Sequence, residues 1–298
     1  MLSFCRAKNT RTARSILKAG MHHPIITLTP DFGLKDPYVA EIKAVVLDVC
    51  KAATIVDVSH EIEKFNIRMG AYVLASASPY FPKGTIHIAV VDPGVGTKRK
   101  PILIQTKHAC FVGPDNGMLT LAARNQGIEH VYEITNQNLM LPKISGTFHG
   151  RDVFAPAAAH LANGTPPTDF GPQTHKIVTP DFTRVIKKKN MLIGEVLYID
   201  SFGNIITNID QKQLESIEIK KTVSVKLGKT RLNLKLCRSY AEARAQKSLA
   251  IIGSQNFLEI VINQGNASKA FNANVGEKVV LYRSHSILSQ LHKQEKTS

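Results

Sequence analysis

Thr85-Ile86-His87-Ile88-Ala89-Val90-Val91-Asp92-Pro93-Gly94-Val95-Gly96-Thr97-Lys98-Arg99 is the stretch on which the fold turns. Residues 86–91 are apolar except for His87, a run suited to a strand buried in a sheet. The run ends in a carboxylate on a Pro-Gly turn. Polar residues on tight turns at the ends of buried strands are where α/β proteins do chemistry. A second such turn, Thr147-Phe148-His149-Gly150-Arg151-Asp152, puts a histidine just before a helix-like run. An Asp, an Arg and a His brought together can hold and deprotonate a water.

Upstream, residues 24–28 read as a first strand ending in the turn Thr29-Pro30-Asp31-Phe32-Gly33. Tyr38 to Ala52 reads as a helix with Val39, Ile42, Val46 and Val49 on one face. A strand at 54–58 and a helix at 66–77 follow. Downstream come short strands at 102–104 and 110–112, the turn Gly113-Pro114-Asp115-Asn116-Gly117, a helix to about Arg124, and a helix over 152–162 closed by Asn163-Gly164. Strands alternating with helices predict an N-terminal α/β domain with a mainly parallel sheet, over residues 21–183. The pattern changes near residue 180. Lys187-Lys188-Lys189 reads as a linker, and seven closely spaced strand signals follow between residues 192 and 282. Two of them, at 223–227 and 232–236, alternate cleanly about Gly228-Lys229-Thr230-Arg231, a hairpin signature. A smaller, mostly β domain is expected over 191–286, barrel- or sandwich-like. No internal repeat is visible.

The 298 residues include 43% hydrophobic and 20% charged side chains, an ordinary globular composition that predicts a soluble protein. No apolar run is long enough to span a bilayer, so no membrane partner is expected. Cys5, Cys50, Cys110 and Cys237 show no CxxC spacing. That excludes an ordinary structural zinc site and a disulfide framework, and points to a reduced, cytoplasmic compartment. Residues 1–20 form a basic extension, expected to be disordered. Its composition suits a transit peptide for organellar import, or an extension upstream of a start at Met21. Residues 287–298 read as a frayed tail. The net charge of +15 raises nucleic acid as a partner. Without an aromatic-rich basic ribbon or a helix-turn-helix, RRM or KH signature, the expectation is a basic surface and no nucleic acid.

Taken singly, the polar turn residues have plain explanations. Asp31 and Asp36 suit a turn, although two carboxylates after a first strand also suit a ribose diol or a cationic group. Asp92 can start its Pro-Gly turn, and Arg99 can be a solvated charge. Asp152 reads as the N-cap of its helix. Gly94 and Gly96 allow close backbone approach but make neither a P-loop nor a GxGxxG fingerprint. Asp31, Asp36, His60, Asp92, His149 and Asp152 are metal-ligating types without close ligand spacing, so a metal-free site is preferred. Asn204 and Ser254 lie in turns between β runs, and spacing alone assigns them nothing.

Together these segments resemble the S-adenosylmethionine hydrolases that form adenosine, the SAM hydroxide adenosyltransferases, relatives of fluorinase and chlorinase. The resembling pieces run in order from Thr29-Pro30-Asp31-Phe32-Gly33 with Asp36, through Ile55-Val56-Asp57-Val58-Ser59-His60, Tyr80-Phe81-Pro82-Lys83-Gly84-Thr85 and Val90-Val91-Asp92-Pro93-Gly94-Val95-Gly96-Thr97. They continue through Phe111-Val112-Gly113-Pro114-Asp115-Asn116-Gly117 and Thr147-Phe148-His149-Gly150-Arg151-Asp152 to Phe202-Gly203-Asn204 and Asn266-Ala267. The resemblance implies a homotrimer whose sites lie between the N-terminal domain of one subunit and the C-terminal domain of the next. It implies Asp92, Arg99 and His149 as the catalytic set. In the fluorinase branch the Asp and His positions carry other residues, so their retention favours water over halide as nucleophile. Ribose and methionine contacts map to Asp31, Asp36 and Asn204, an aromatic beside the nucleoside to Phe65, an adenine contact to Ser254, and Phe202 lies with the substrate-binding set. S-adenosylmethionine is then a substrate, and no cofactor or metal is implied. Pro30, where Thr or Ser is usual, and the diverged turn at 253–256 depart from the pattern. The competing readings are a halogenase on the same fold, a nucleoside- or nucleic-acid-binding module without turnover, and a metal-dependent hydrolase.

Overall fold

The computed structural model describes residues 23–219 and 221–283. The expectations for residues 1–20 and 287–298 lie outside them. Two sheets organise the chain. The first has six strands: β1 (Ile25–Pro30), β2 (Thr54–Asp57), β3 (Ile86–Val90), β4 (Pro101–Thr106), β5 (Cys110–Pro114) and β6 (Ile128–Glu133), in the order β2-β1-β3-β5-β4-β6. The pairs β1–β2, β1–β3 and β3–β5 are parallel, and β4 runs antiparallel to β5 and β6. Every residue of β3 is buried, because layers of helix cover both faces. Ile86, Ile88 and Val90 pack on one side with Val39, Ile42 and Val46 of helix α1 (Tyr38–Val49) and with helix α4 (Ala155–Ala162). Ala89 and Val91 pack on the other with helices α2 (Ile67–Ala77) and α3 (Thr120–Gln126).

The crossovers from β1 to β2 and from β2 to β3 put α1 and α2 on opposite faces, and β2 and β3 flank β1. The β1/β3 boundary is therefore a topological switch point, where open α/β sheets leave a crevice at the strands' carboxyl ends. Pro30 pairs with Val90, so Asp31 and Asp92 emerge side by side there. β6 is a strand that the sequence does not announce. It lies at the outer edge with Glu129 and His130 exposed, so its apolar signal is weak.

The second sheet closes on itself. Strands β8 (Met191–Ile199), β9 (Ile205–Asp210), β10 (Thr222–Leu227), β11 (Thr230–Cys237), β12 (Ser248–Ile252), β13 (Phe257–Ile262) and β14 (Lys278–Arg283) are ordered β14-β10-β11-β12-β13-β9-β8, and β14 returns to β8. The result is a seven-strand barrel, of the two shapes expected, with Val196, Ile205, Val223, Leu258 and Leu281 among its buried core. The hairpin at Gly228-Lys229 falls where the alternation placed it. The lysine run corrects an expectation: Ile186–Lys188 is not a linker but strand β7, laid antiparallel on β8. Its side chains are exposed, which hides a strand from any reading that looks for apolar alternation.

Sheet and barrel share an interface through α2. Leu197, Ile206 and Phe257 join the core on that side, Tyr72 stacks on Tyr198 at 4.5 Å, and Arg68 pairs with Glu195 at 2.6 Å. No described helix is long and apolar enough to cross a membrane.

Candidate active site

Asp92 leaves β3 into a tight turn in which Val95 N–H donates to Asp92 O (3.2 Å) and Thr97 N–H to Gly94 O (3.1 Å). The turn folds Arg99 back over Asp92. Arg99 Nε donates to Asp92 Oδ1 at 3.0 Å, and Arg99 Nη2 donates both to Asp92 Oδ2 and, at 2.9 Å, to His149 Nδ1. The Arg99 and Asp92 side chains are only 8% and 6% exposed. Arg99 lies over the Phe154 ring, and its Nη1 is buried without a hydrogen-bond partner among the described residues. Three residues named from two separate turns thus form one hydrogen-bonded set.

His149 precedes a π-helical turn, Gly150–Phe154, that leads into α4. Asp152 sits inside this turn and is fully buried. It is not the N-cap that its position implied. Its carboxylate instead accepts Ser145 N–H at 2.7 Å and pairs with Arg151 at 2.6 Å, and Arg151 reaches Glu41 of α1 at 2.7 Å. That network ties the 145–149 loop to the helix layer. A close approach ties it to the Asp92 turn. Gly96 has φ +75°, and a Cβ there would run into the Gly146 carbonyl, so Gly96 allows the close backbone approach expected of the Gly pair, while Gly94 meets only side chains at ordinary distances.

A cavity of about 220 Å³ opens between these turns, lined by Asp31, Phe65, Asp92, Thr147 and His149 among others. Asp31 is buried. Its Oδ2 accepts the N–H of Phe65 at 2.9 Å, and Lys64 Nζ bonds its main-chain oxygen. Phe65 takes φ +65°, uncommon for a residue with a side chain, and stands 69% exposed. Strain of this kind persists where neighbours enforce it, commonly at binding sites. Lys64 lines the cavity, as does a cluster of Phe32, Tyr38 and Phe148 with ring centres 5.3–6.1 Å apart. Sequence reasoning misses both. Lys64 is signalled by its place beside Phe65; the ring cluster draws on three separate segments and carries no local signal.

Burial holds the His149 pKa below its usual 6.5, with the Arg99 charge adding to the effect and Asp92 and Asp152 opposing it. A guanidinium only donates, so the ring nitrogen facing Arg99 carries the lone pair and the proton sits on Nε2. The site histidine is neutral.

The other named residues stand apart. Asp36 is exposed on the loop after β1. Asn204 is buried in a barrel turn, where Asp200 accepts its N–H at 2.8 Å and its Nδ2 at 2.9 Å, and Phe202 is 76% exposed on the same turn. Ser254 lines a separate cleft of about 450 Å³ between sheet and barrel, with its carbonyl 3.1 Å from the Tyr80 hydroxyl. Asp36, Phe202, Asn204 and Ser254 do not line the Asp92 cavity within this chain. His60 is buried with Nε2 3.0 Å from Asp57 Oδ1, and among the described residues no three His, Cys, Asp or Glu side chains group as metal ligands would.

An α/β sheet with an Asp-Arg-His set at its switch point, joined to a closed β-barrel, defines a two-part protein with a crevice beside that set. Comparison with known families names it. The descriptions of the SAM hydroxide adenosyltransferase N-terminal and C-terminal domains match residues 26–171 and 194–280, and the chain belongs to that family. It is 39% identical, over 86% of its length and 94% of theirs, to the (R)-S-adenosyl-L-methionine hydrolase of Methanocaldococcus jannaschii. It is 36% identical, over 84% and 96%, to the protein of that name from Thermus thermophilus. A fluorinase from an Actinoplanes species is 26% identical over 87% and 97%. A crystal structure of an uncharacterized conserved protein from Thermotoga maritima, 36% identical, superposes with TM-score 0.79 over 87% of this chain and all of that one.

Proposed function

We propose that this chain hydrolyses S-adenosyl-L-methionine, the compound in its relatives' names, to adenosine and L-methionine. The observation that carries the reading is Arg99 hydrogen-bonded at once to Asp92 and His149 beside the cavity that also holds Asp31 and Phe65. Water attacks ribose C5′ in line with the sulfonium. The O–C5′ bond forms, the C5′–S bond breaks, and its electron pair stays on sulfur as the neutral thioether of methionine. That leaving group needs no acid. The task is to place one water and take one proton. Well-oriented attack alone can contribute roughly 7–11 kcal/mol.

In this scheme the His149 Nε2–H orients the water. Asp92, whose oxygens keep lone pairs beyond those facing Arg99, accepts the proton. Arg99, hydrogen-bonded to both Asp92 and His149, supplies the positive charge that offsets developing hydroxide. Asp31 Oδ1, which takes no hydrogen bond from the described residues, is the acceptor we assign to the ribose hydroxyls. Phe65 flanks the nucleoside, and Asp36, outside the cavity on the exposed loop after β1, is assigned to the methionine ammonium where the substrate extends past that cavity. S-adenosylmethionine is consumed as substrate, and the scheme uses no cofactor or metal.

A cavity of about 220 Å³ is smaller than the roughly 300–1,000 Å³ of most ligand pockets. A second wall supplied by a neighbouring subunit fits this, with Phe202, Asn204 and Ser254 brought from its barrel in a homotrimer. We place the activity in the cytoplasm, where free cysteines such as Cys50, Cys110 and Cys237 stay reduced.

The test is incubation of EDTA-treated protein with S-adenosylmethionine at varied halide, followed by product separation. Adenosine and methionine in equal amounts, indifferent to halide and chelator, is the expected result. A halogenated nucleoside, or loss of activity with chelator, overturns the scheme.

A further inference from the structure

The net charge of +15 is not spread over the molecule. Residues 23–183 hold fourteen Lys and Arg against fourteen Asp and Glu, while residues 184–283 hold seventeen against eight. The sheet that carries the Asp-Arg-His set is neutral, and the barrel is basic.

Strand register locates much of the excess. Val223, Val225 and Leu227 of β10 point into the barrel core, so Thr222, Ser224 and Lys226 face outward. Their opposed neighbours on β11 are Lys235, Asn233 and Arg231. On the other side of β10, Tyr282 of β14 opposes Ser224. Met191 of β8 opposes Tyr282, and Lys188 of β7 opposes Met191. One outer face five strands wide therefore has a half-buried tyrosine and methionine at its centre and cations along its margins. Lys226 stands directly opposite Arg231, and like charges so placed cost stability. Neither forms an ion pair with a described residue, and Lys235 meets Glu242 only at 3.7 Å. Among the described residues, Lys226 and Arg231 have no counter-charge on this face.

We propose that this outer face of β7, β8, β14, β10 and β11 binds single-stranded nucleic acid, with phosphates on Lys226, Arg231 and Lys235 and a base against Tyr282. Cation-lined surfaces with aromatic platforms are how strands are held without sequence preference. Arg231 and Lys235, four residues apart on one strand, are separated by about 14 Å, a spacing that reaches separate phosphates of an extended chain rather than one anion. An anionic membrane is the poorer fit. It would need several apolar side chains that protrude, whereas Ile186 of β7 is the one exposed apolar side chain among the described residues of this face, Tyr282 and Met191 are recessed between cations, and the neighbouring Val280 is buried. This inference is independent of the hydrolase reading.

The experiment is fluorescence anisotropy of a labelled oligouridylate, and of its deoxythymidylate equivalent, titrated with the full chain over about 50–200 mM KCl. The wild type should bind, with affinity falling as salt rises. The triple variant Lys226→Gln, Arg231→Gln, Lys235→Gln should bind at least tenfold more weakly. Its slope of log affinity against log salt should be shallower by about 2, from roughly 0.7 per lost phosphate contact. Its melting temperature and its turnover of S-adenosylmethionine should match wild type. A variant neutralising Arg6, Lys8, Arg11, Arg14 and Lys18 separates the leading segment and should keep most of the affinity. No binding at the lowest salt, an unchanged triple variant, loss confined to the leading-segment variant, or tighter binding to phosphatidylserine–phosphatidylcholine vesicles than to either oligonucleotide would each overturn the proposal.

Discussion

Arg99 Nη2 lies 2.9 Å from His149 Nδ1 while the same guanidinium grips Asp92. This fixes the histidine tautomer: its lone pair faces Arg99 and its proton faces away on Nε2. A protonated His149 would set a second cation against Arg99 and lose this contact.

The pH profile follows from that. Burial and Arg99 both depress the His149 pKa, so the neutral, working form persists above the depressed value and is lost as pH falls through it. Turnover should be flat through neutrality and decline only below about 6.5, the ordinary histidine value. His149→Gln, whose amide oxygen can still accept from Arg99, should be slower and should lack that acid limb. An acid limb centred at or above 6.5 in kcat would contradict the tautomer assignment.

Arg99→Lys keeps the charge and loses the fork that reaches two partners at once. A drop of about 10²–10³ in kcat, the usual effect of losing one preorganised donor, is expected with KM changed only a few-fold. Asp92→Ala and His149→Ala should likewise lose turnover while calorimetry still detects ligand. Variants that lose binding but keep kcat would remove these residues from the chemical step.

Asp152 supports the site from behind. Its replacement by Ala strands the Ser145 N–H and half of the Arg151 pairing, and should cost about 1–3 kcal/mol in denaturant unfolding. Arg151 is one-third exposed, so the larger penalty of a fully buried pair does not apply. Unchanged stability would show that the π-helical turn holds itself.

Two glycines with similar φ separate backbone strain from contact. Gly96 (φ +75°) abuts the Gly146 carbonyl, while a methyl added at Gly84 (φ +88°) would meet nothing within 4 Å. Gly84→Ala should lose only the left-handed penalty, roughly 1–2 kcal/mol. Gly96→Ala should lose more and also reduce turnover, because the Asp92 and His149 loops must part. Thermal unfolding of the two variants side by side decides this.

Subunit sharing can be read by complementation. Asp92→Ala and Asn204→Ala proteins should each be inactive. If sites join one chain's sheet to another's barrel, unfolding and refolding them together should restore part of the activity, since mixed oligomers would contain some sites with both residues intact. No recovery in demonstrably mixed oligomers would place the whole site in one chain.

Much of this is legible in the sequence alone. The apolar run at 86–91 announces a doubly covered strand, the spacing of Val39, Ile42 and Val46 announces the buried face of α1, and the alternation at 223–236 announces a hairpin. These are local signals, because periodicity records which side of an element meets a core. The ordered turns carry the family and name Asp92, Arg99 and His149. Tertiary structure alone decided the rest. It set Arg99 against His149 fifty residues away, placed Asp31 beside Asp92 at the switch point, closed β14 on β8, and turned a lysine run into strand β7. It also put Asp152 inside a π-helical turn instead of at a cap. Each depends on which strands become neighbours and how layers close, choices made by long-range packing that no window of sequence contains.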